Sequence, residues 1–166
     1  MEAIYMKKSM EEFSNAFKKI GKDWMLISAA DGDKVNGMTA SWGGFGVIWG
    51  MNVAYIFVRQ SRYTKEFIDK SDMLSLSFFD DDKKSMLGYM GKVSGRNEDK
   101  ISKAGLTVEL VDGVPTYKEA TENVLCRKLY AGPISPEHFV DENIDEKWYA
   151  DKDYHTMYIV ELLDIV

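Results

Sequence analysis

The chain has 166 residues, of which 45% are hydrophobic and 29% are charged, and its formal net charge at pH 7 is -6. This length suits a single domain, residues 1–166, with a core of its own, and the composition excludes a disordered or fibrous protein. The acidic balance argues against nucleic acid or an anionic membrane as a partner, because such partners need a basic footprint.

An amphipathic helix is predicted at the amino terminus. A capping box formed by Ser9 and Glu12 begins it, and Gly21 ends it. Between these signals, apolar residues recur at helical spacing at Met10, Phe13, Phe17 and Ile20.

Four strands are predicted in the first half of the chain. Residues 24–30 (WMLISAA) and 38–42 (MTASW) flank the turn sequence DGDKVNG and are expected to form a hairpin. Residues 53–58 (VAYIFV) are apolar throughout, whereas residues 73–79 (MLSLSFF) alternate leucine and phenylalanine with serine at a period of two.

Short helices are predicted between and after these strands. Thr64 is expected to cap one that carries Phe67 and Ile68. Another follows the aspartates at 80–82, where acidic residues favour a helix start. The remaining helical features are Met86, Leu87 and Met90 on that second helix, a third helix from Asn97 to Gly105, and a turn that begins at Ser135 and Pro136.

Three further strands are predicted at residues 107–110, 123–131 and 154–166. The strands are therefore mostly antiparallel, and helices are inserted at intervals rather than after every strand. This pattern predicts an α+β fold of mainly antiparallel β structure, a β-barrel rather than a doubly wound sheet.

The segment RQSRYT, residues 59–64, is the first candidate site. It follows an apolar strand, begins a helix, and brings two guanidiniums, two hydroxyls and helix-start amides together, which is the equipment for holding a phosphate dianion. An exposed basic turn beside nearby carboxylates would have the same sequence.

The segment NGMTASW, residues 36–42, is the second candidate. Its small residues would let a planar ligand approach the main chain closely, and Trp42, Phe45 and Trp49 could form walls. A glycine-rich loop with core tryptophans is the alternative. A dinucleotide fingerprint is rejected, because Trp49 stands where the third glycine of G-x-G-x-x-G should fall.

A third candidate, SGR at residues 94–96, is either a second anion contact or a capped turn. Metal chemistry is not expected, since the two histidines, His138 and His155, lie in no ligand-spaced motif. Cys126, the one cysteine, excludes an intramolecular disulfide and reads as a small packing residue. Without a membrane span or a cleavable signal, the sequence predicts a soluble, cytoplasmic protein.

Taken together, these segments resemble the flavin reductase-like family of FMN-binding split barrels, and within it the flavoredoxin-type branch. The matching segments follow the family's order from about Trp24 onward: NGMTASWGGFGVIWG, VAYIFVRQSRYTKEFI, LSFF, GKVSGRNEDK with AGLT, CRKLY, and DYHTMYIVEL. The resemblance implies an FMN-binding split β-barrel with peripheral helices.

The resemblance also implies which residues hold the cofactor. The MTASW segment would contact the flavin ring through its main chain, the RQSRYT segment would hold the phosphate and the ribityl chain, and SGR would contribute nearby. Gln60 departs from the family pattern, in which a proline is usual, so the loop is expected to be less rigid. The residues assigned in this way are Met38, Thr39, Ala40, Ser41, Trp42, Arg59, Ser61, Arg62, Tyr63, Thr64, Ser94, Gly95 and Arg96.

In function, the resemblance implies an oxidoreductase that passes a hydride from NADH or NADPH to the flavin and electrons on to an acceptor. The flavin carries the redox chemistry, so no catalytic acid or base is required of the protein. A homodimer is also implied. Two alternatives stay open: an FMN-containing electron carrier that serves protein partners, and a noncatalytic domain that binds a phosphorylated ligand.

Overall fold

The structure, a computed structural model, describes residues 15–166. The predicted capping box, with Met10 and Phe13, lies outside these residues. The first described helix is α1, Ala16–Lys19, which stops before Gly21 as predicted. Ile20, the residue that follows the helix, is buried in the core of the sheet. No helix in the described part of the chain is long and apolar enough to cross a membrane.

Seven strands form one sheet in the order β2-β1-β5-β8-β9-β4-β3, and every neighbouring pair is antiparallel. Strands β6 and β7 form a separate antiparallel pair. The predicted α+β fold with mainly antiparallel strands is thus confirmed. The strands are β1 Met25–Asp31, β2 Lys34–Ala40, β3 Gly43–Ile48, β4 Met51–Arg59, β5 Met73–Phe78, β6 Val108–Val111, β7 Val114–Tyr117, β8 Glu122–Pro133 and β9 His155–Ile165.

The large sheet must curl, because its two end strands, β2 and β3, are joined by Ser41 and Trp42 alone. Consecutive Cα atoms are about 3.8 Å apart, so the Cα atoms of Ala40 and Gly43 lie within about 11 Å. Side chains from all the strands of the sheet then share one interior. That core includes Met25, Ile56, Leu76, Val124 and Val160, all fully or nearly fully buried.

The β6–β7 pair covers the outer face of β1 and β5 as a second layer. Ser75 and Ser77, which alternate with the core leucines, are buried beneath this layer rather than solvated. Ser75 donates to the main-chain oxygen of Pro115 at 2.5 Å, and the Ser77 hydroxyl donates to Asn123 Oδ1 at 2.7 Å. The period of two therefore separates a barrel interior from a covered polar face.

The helices lie outside the barrel, and two of their predicted starts are wrong. Arg62, rather than Thr64, occupies the cap position of α2, because Thr64 already lies in the first turn and accepts a hydrogen bond from Asn36. The helix expected from Asn97 begins three residues later, where the Asp99 side chain caps it. The helices are α2 Tyr63–Lys70, α3 Lys84–Lys92, α4 Lys100–Lys103 and α5 Glu142–Trp148, with 3-10 turns at Asp81–Lys83 and Pro136–His138.

The sequence patterns missed β3, β7 and α5. The glycines of β3 weaken its strand signal, and its ladder with β4 supplies the order that the side chains do not. Strand β7 contains Pro115, which weakens its strand signal. The strand forms because it pairs with β6 and because its own Tyr117 is buried.

Candidate functional site

Two adjoining clefts lie where β2, the β4–α2 corner and the segment before β9 meet. The first, here called the wide cleft, has a volume of about 240 Å³ and is lined by residues 38–42 together with Phe57, Arg59, Arg62, Trp148 and His155. The second, the narrow cleft, has a volume of about 80 Å³. Its lining residues are Asn36, Ser61, Arg62, Tyr63, Thr64, Lys92, Val93, Ser94 and Lys100.

The floor of the wide cleft is the carboxyl end of β2. Strand β2 pairs with β1 on one side, and along its other edge no strand of residues 15–166 pairs with its main-chain groups. Helix α3 packs near this edge: Thr39 Oγ1 donates to the Leu87 main-chain oxygen at 2.6 Å, and a Cβ on Gly91 would lie 3.2 Å from that of Thr39. The cleft thus offers backbone donors and acceptors to a ligand edge.

One of the small residues in NGMTASW has a structural reason of its own. A side chain on Gly37 would come within 2.5 Å of Ser28 Oγ and 2.8 Å of the Tyr117 hydroxyl, which are hydrogen-bonded to each other at 2.7 Å. Gly37 therefore accommodates the covered face of the sheet rather than the cleft.

Aromatic side chains wall the wide cleft. The Trp42 and Trp148 rings meet edge to face with centroids 5.1 Å apart, and they are 40% and 44% exposed. The His155 ring lies 5.1 Å from Trp42 and 6.5 Å from Phe57. A broad aromatic slot with a main-chain floor suits a planar, partly polar ring system.

His155 brings a neutral imidazole to this wall. Its Nδ1 atom lies 2.7 Å from the Tyr149 hydroxyl in a hydrogen bond. Burial, together with the nearby Arg59 guanidinium, lowers the pKa of His155 to about 4, while Asp153 acts in the opposite direction. The wide cleft therefore gains no positive charge from this ring at neutral pH.

Two cations with main-chain partners line the narrow cleft. Lys100 is only 2% exposed, and its ammonium donates to the oxygens of Met90 and Val93 at 2.9 and 3.0 Å. The Arg62 guanidinium donates to the Gly91 oxygen at 2.8 Å. These carbonyls belong to the carboxyl end of α3, whose partial negative charge favours both cations.

The charge of the narrow cleft is unbalanced. Among the described residues 15–166, two lysines and an arginine line this cleft and no carboxylate does. Burial lowers the pKa of the Lys100 ammonium to about 8, with Arg62 adding to the effect. Burial likewise lowers the pKa of Arg62, and Asp153 offsets this in part. Two partly desolvated cations beside the first turn of α2 are suited to holding an anion.

The structure brings most of the predicted site residues together. Residues 38–42 and Arg59 line the wide cleft, Ser61, Tyr63, Thr64 and Ser94 line the narrow cleft, and Arg62 lines both.

Two residues of the SGR segment lie to the side. Gly95 packs against the Asn36 side chain. Arg96 donates to Glu66 at 2.6 Å, with its guanidinium 4.4 Å from the centre of the Tyr63 ring. Arg96 thus supports the wall of the narrow cleft from outside.

Gln60 occupies the position where the family pattern has proline, and hydrogen bonds hold it. Its main-chain N–H donates to the Tyr154 oxygen at 3.2 Å, and its side chain donates to Thr156 Oγ1 at 2.7 Å. These bonds tie the corner to β9 and supply the order that a proline ring would give.

Sequence patterns did not single out Lys100 or Trp148, nor Phe57 or His155 as lining residues. Lys100 follows a helix-capping signal and has no local mark of a site; only the packing of α4 against α3 brings it to Arg62. Trp148 lies on a helix that was not predicted. Phe57 lies two residues before Arg59 on β4, so strand alternation could have placed it on the same face. The other three residues reach the site through long-range packing, which local sequence does not encode.

An antiparallel barrel with an anion cleft beside a slot for a planar ring defines the class of protein. The chain belongs to the family described as the flavin reductase-like domain, whose family model matches residues 17–165. The predicted family is thus confirmed, and the fold is the split barrel expected of it. A search of curated proteins finds no match.

Solved structures share this fold at low sequence identity. The flavoredoxin from Methanosarcina acetivorans is 22% identical with a TM-score of 0.67, over 87% of this chain and 67% of that one. The FMN-binding domain of a flavin reductases-like enzyme from Shewanella baltica OS155 is 16% identical with a TM-score of 0.66, over 90% and 71%. Flavin reductase PheA2 is 18% identical with a TM-score of 0.61, over 96% and 88%.

Proposed function

We propose that this protein binds FMN and acts as an NAD(P)H:flavin oxidoreductase. The proposal rests on two cations, the buried Lys100 and the half-buried Arg62, in a cleft that no carboxylate of residues 15–166 lines and that opens past Arg62 onto an aromatic slot. A ligand with a dianionic tail and a planar head matches this arrangement. A neighbouring structure described as an FMN-binding domain supports the choice.

In this proposal the phosphate lies in the narrow cleft. Arg62, Lys100, Ser94 and Thr64 would surround it, beside the main chain at the start of α2. Charged hydrogen bonds are worth about 1.5–3 kcal/mol each, so a few of them would dominate the anchoring of the ligand. The predicted Arg59 and Ser61 would stand at the junction of the two clefts.

The ring would lie in the wide cleft on residues 38–42. The unpaired edge of β2 would meet the polar edge of the ring, and Trp42 and Trp148 would limit the access of water. When bound, the flavin supplies the redox chemistry, accepting a hydride from a reduced nicotinamide and passing electrons on to an acceptor. The protein contributes binding and orientation, with no acid or base of its own.

An electron carrier is the second candidate. A neighbouring structure is named flavoredoxin, and the same clefts would hold FMN in a protein that exchanges electrons with partners. A noncatalytic phosphoryl-binding domain would use the narrow cleft alone.

Anaerobic mixing of the FMN-loaded protein with NADH or NADPH separates the candidates. Rapid bleaching of the flavin absorbance is the expected result. Bleaching by a reduced redox protein and not by nicotinamides would favour the carrier. A colourless protein that takes up no FMN in a titration would overturn both in favour of the noncatalytic domain.

A homodimer is part of the proposal. Strand β3 is an end strand of the sheet, and Val47 and Trp49, at its turn into β4, are 71% and 57% exposed. Apolar side chains along an end strand favour burial against another chain. Light scattering of the purified protein is expected to give twice the monomer mass. The cytoplasmic location stays a prediction of the sequence.

A further inference from the structure

The last residue of α5, Trp148, and the link to β9, residues 149–154, run along the junction of the two clefts. We call residues 148–154 the strap. Arg59 holds it by the main chain: its guanidinium donates to the oxygen of Asp153 at 2.8 Å and to that of Trp148 at 3.1 Å. The Trp148 ring meets Trp42 across the wide cleft. The strap is therefore fastened to a residue that the sequence assigns to the ligand.

The strap also brings a carboxylate to the same junction. Asp153 accepts a hydrogen bond from the Ser61 main-chain N–H at 3.1 Å and another from the Ser61 hydroxyl. Its charge acts electrostatically on Arg62 and His155, so it lies near lining residues of both clefts, although it lines neither cleft itself. Ser61 thus already has an anionic partner, one supplied by the chain itself.

A carboxylate and a phosphate bind the same kinds of donor, since each accepts charge-assisted hydrogen bonds from amides, hydroxyls and guanidiniums. The Asp153 carboxylate and a phosphate cannot both accept hydrogen bonds from the Ser61 main-chain N–H and hydroxyl at the same time. A phosphate beside Ser61 would also be repelled by the negative charge of Asp153, and partial desolvation of the site strengthens this repulsion.

We propose that Asp153 is a specificity-determining residue, an internal anion that competes with a ligand's phosphate for Ser61. The inference rests on the proposed function, because the competing ligand is the phosphate of FMN. Inorganic phosphate alone would bind weakly against this competitor. A ligand that also fills the wide cleft would gain enough contact to displace the carboxylate, so the complete cofactor would still bind although the competition weakens FMN and inorganic phosphate by the same factor.

The test compares Asp153→Asn and Asp153→Ala with the parent chain and with Asp151→Asn as the matched control. The Asp151→Asn substitution removes one negative charge from the same strap. The Asp151 side chain is 69% exposed, and its Oδ1 atom lies 3.8 Å from an Arg59 guanidinium nitrogen. In the parent chain the Asp153 main-chain N–H donates to the Asp151 carboxylate, and the amide oxygen of an asparagine at position 151 can accept the same hydrogen bond. Each variant is titrated with inorganic phosphate, FMN and riboflavin by tryptophan fluorescence, and thermal melting verifies folding.

Freeing the Ser61 donors is expected to tighten phosphate and FMN about fivefold to tenfold in Asp153→Ala, an amount typical of one hydrogen bond. Asp153→Asn should gain less, because its amide oxygen can still accept from one of the Ser61 donors. Riboflavin, which has no phosphate, should change by less than about twofold, and Asp151→Asn should leave all three ligands unchanged. An Asp153→Ala protein that binds phosphate and FMN no better than the control would overturn the inference. Equal changes for FMN and riboflavin would do the same, since they would mark the strap as a general support.

The failure of the proposed function would look different. If neither flavin binds to any variant and Asp153→Ala still gains affinity for inorganic phosphate, the competition stands and the assignment of the ligand as FMN fails. If the parent binds FMN and the Asp153 variants show no phosphate-specific gain, the assignment stands and the competition fails.

Discussion

Replacing Lys100 with methionine tests the anion site at its most buried charge. Methionine keeps much of the length and apolar volume of the stem and removes the ammonium that now donates to the oxygens of Met90 and Val93. If the ammonium also donates to the phosphate, its loss costs about 1.5–3 kcal/mol of binding. That free energy corresponds to FMN affinity about 10-fold to 150-fold weaker.

The pH dependence of the parent chain provides an independent sign of the same contact. Burial lowers the pKa of Lys100 from 10.5 to about 8 in the unliganded protein. A bound dianion favours the charged form, so FMN binding takes up a proton above that pH. FMN affinity should therefore be constant from pH 7 to about 8 and fall above it, whereas Lys100→Met should show no such decline.

Folding stability should respond with the opposite sign. Between about pH 8 and 10.5 the unfolded chain holds a proton on Lys100 that the folded chain has lost, so this group makes the unliganded protein more stable as pH rises. Lys100→Met should remove that slope and leave the protein folded, because a buried charge is replaced by an apolar group.

The assay is a titration of FMN and riboflavin by flavin fluorescence, from pH 7 to pH 9, on the parent, Lys100→Met and the control Lys103→Met. Lys103 lies on the same short helix, is exposed, and pairs with Glu98. The control should match the parent. An unchanged FMN affinity in a folded Lys100→Met protein, or an equal loss for riboflavin, would refute the assignment of Lys100 to the phosphate.

Three further predictions concern the surroundings of the site. Because burial lowers the pKa of His155 to about 4, riboflavin affinity should stay flat between pH 5 and 8; a midpoint near the ordinary histidine value of 6.5 would contradict this. Gln60→Pro removes hydrogen bonds to Tyr154 and Thr156 and should lower the free energy of unfolding in urea by about 1–3 kcal/mol; equal midpoints and slopes would argue that these bonds contribute nothing. Burial raises the pKa of the Cys126 thiol, so a thiol reagent should label it in denaturant and not in the native protein, where rapid labelling would be unexpected.

Local sequence predicted the strands well where a side-chain period was strong. In residues 73–79 the alternation separated the barrel interior from a second face, although Ser75 and Ser77 are buried there by a hairpin that the pattern did not foresee. The glycine-rich β3 had no such period. Its order comes from the β4 ladder and from the short link at Ser41 and Trp42 that closes the barrel.

The candidate site was predictable in part for a similar reason. RQSRYT places its residues together because they are neighbours at one corner, and the structure keeps them there. Lys100 and Asp153 come from distant segments, and the pairing of α4 with α3 and of the strap with Ser61 alone brings them to that corner. Residues that reach a site through tertiary packing carry no local signal.

An experimental structure of the protein with FMN bound would test most directly whether the two clefts hold the phosphate and the ring. It should place phosphate oxygens within hydrogen-bonding distance of the Arg62 guanidinium and the Lys100 ammonium. The ring edge should meet the main chain of residues 38–42, with the Asp153 carboxylate displaced from Ser61. A flavin whose phosphate lies outside the narrow cleft, or whose ring makes no contact with β2, would contradict the account.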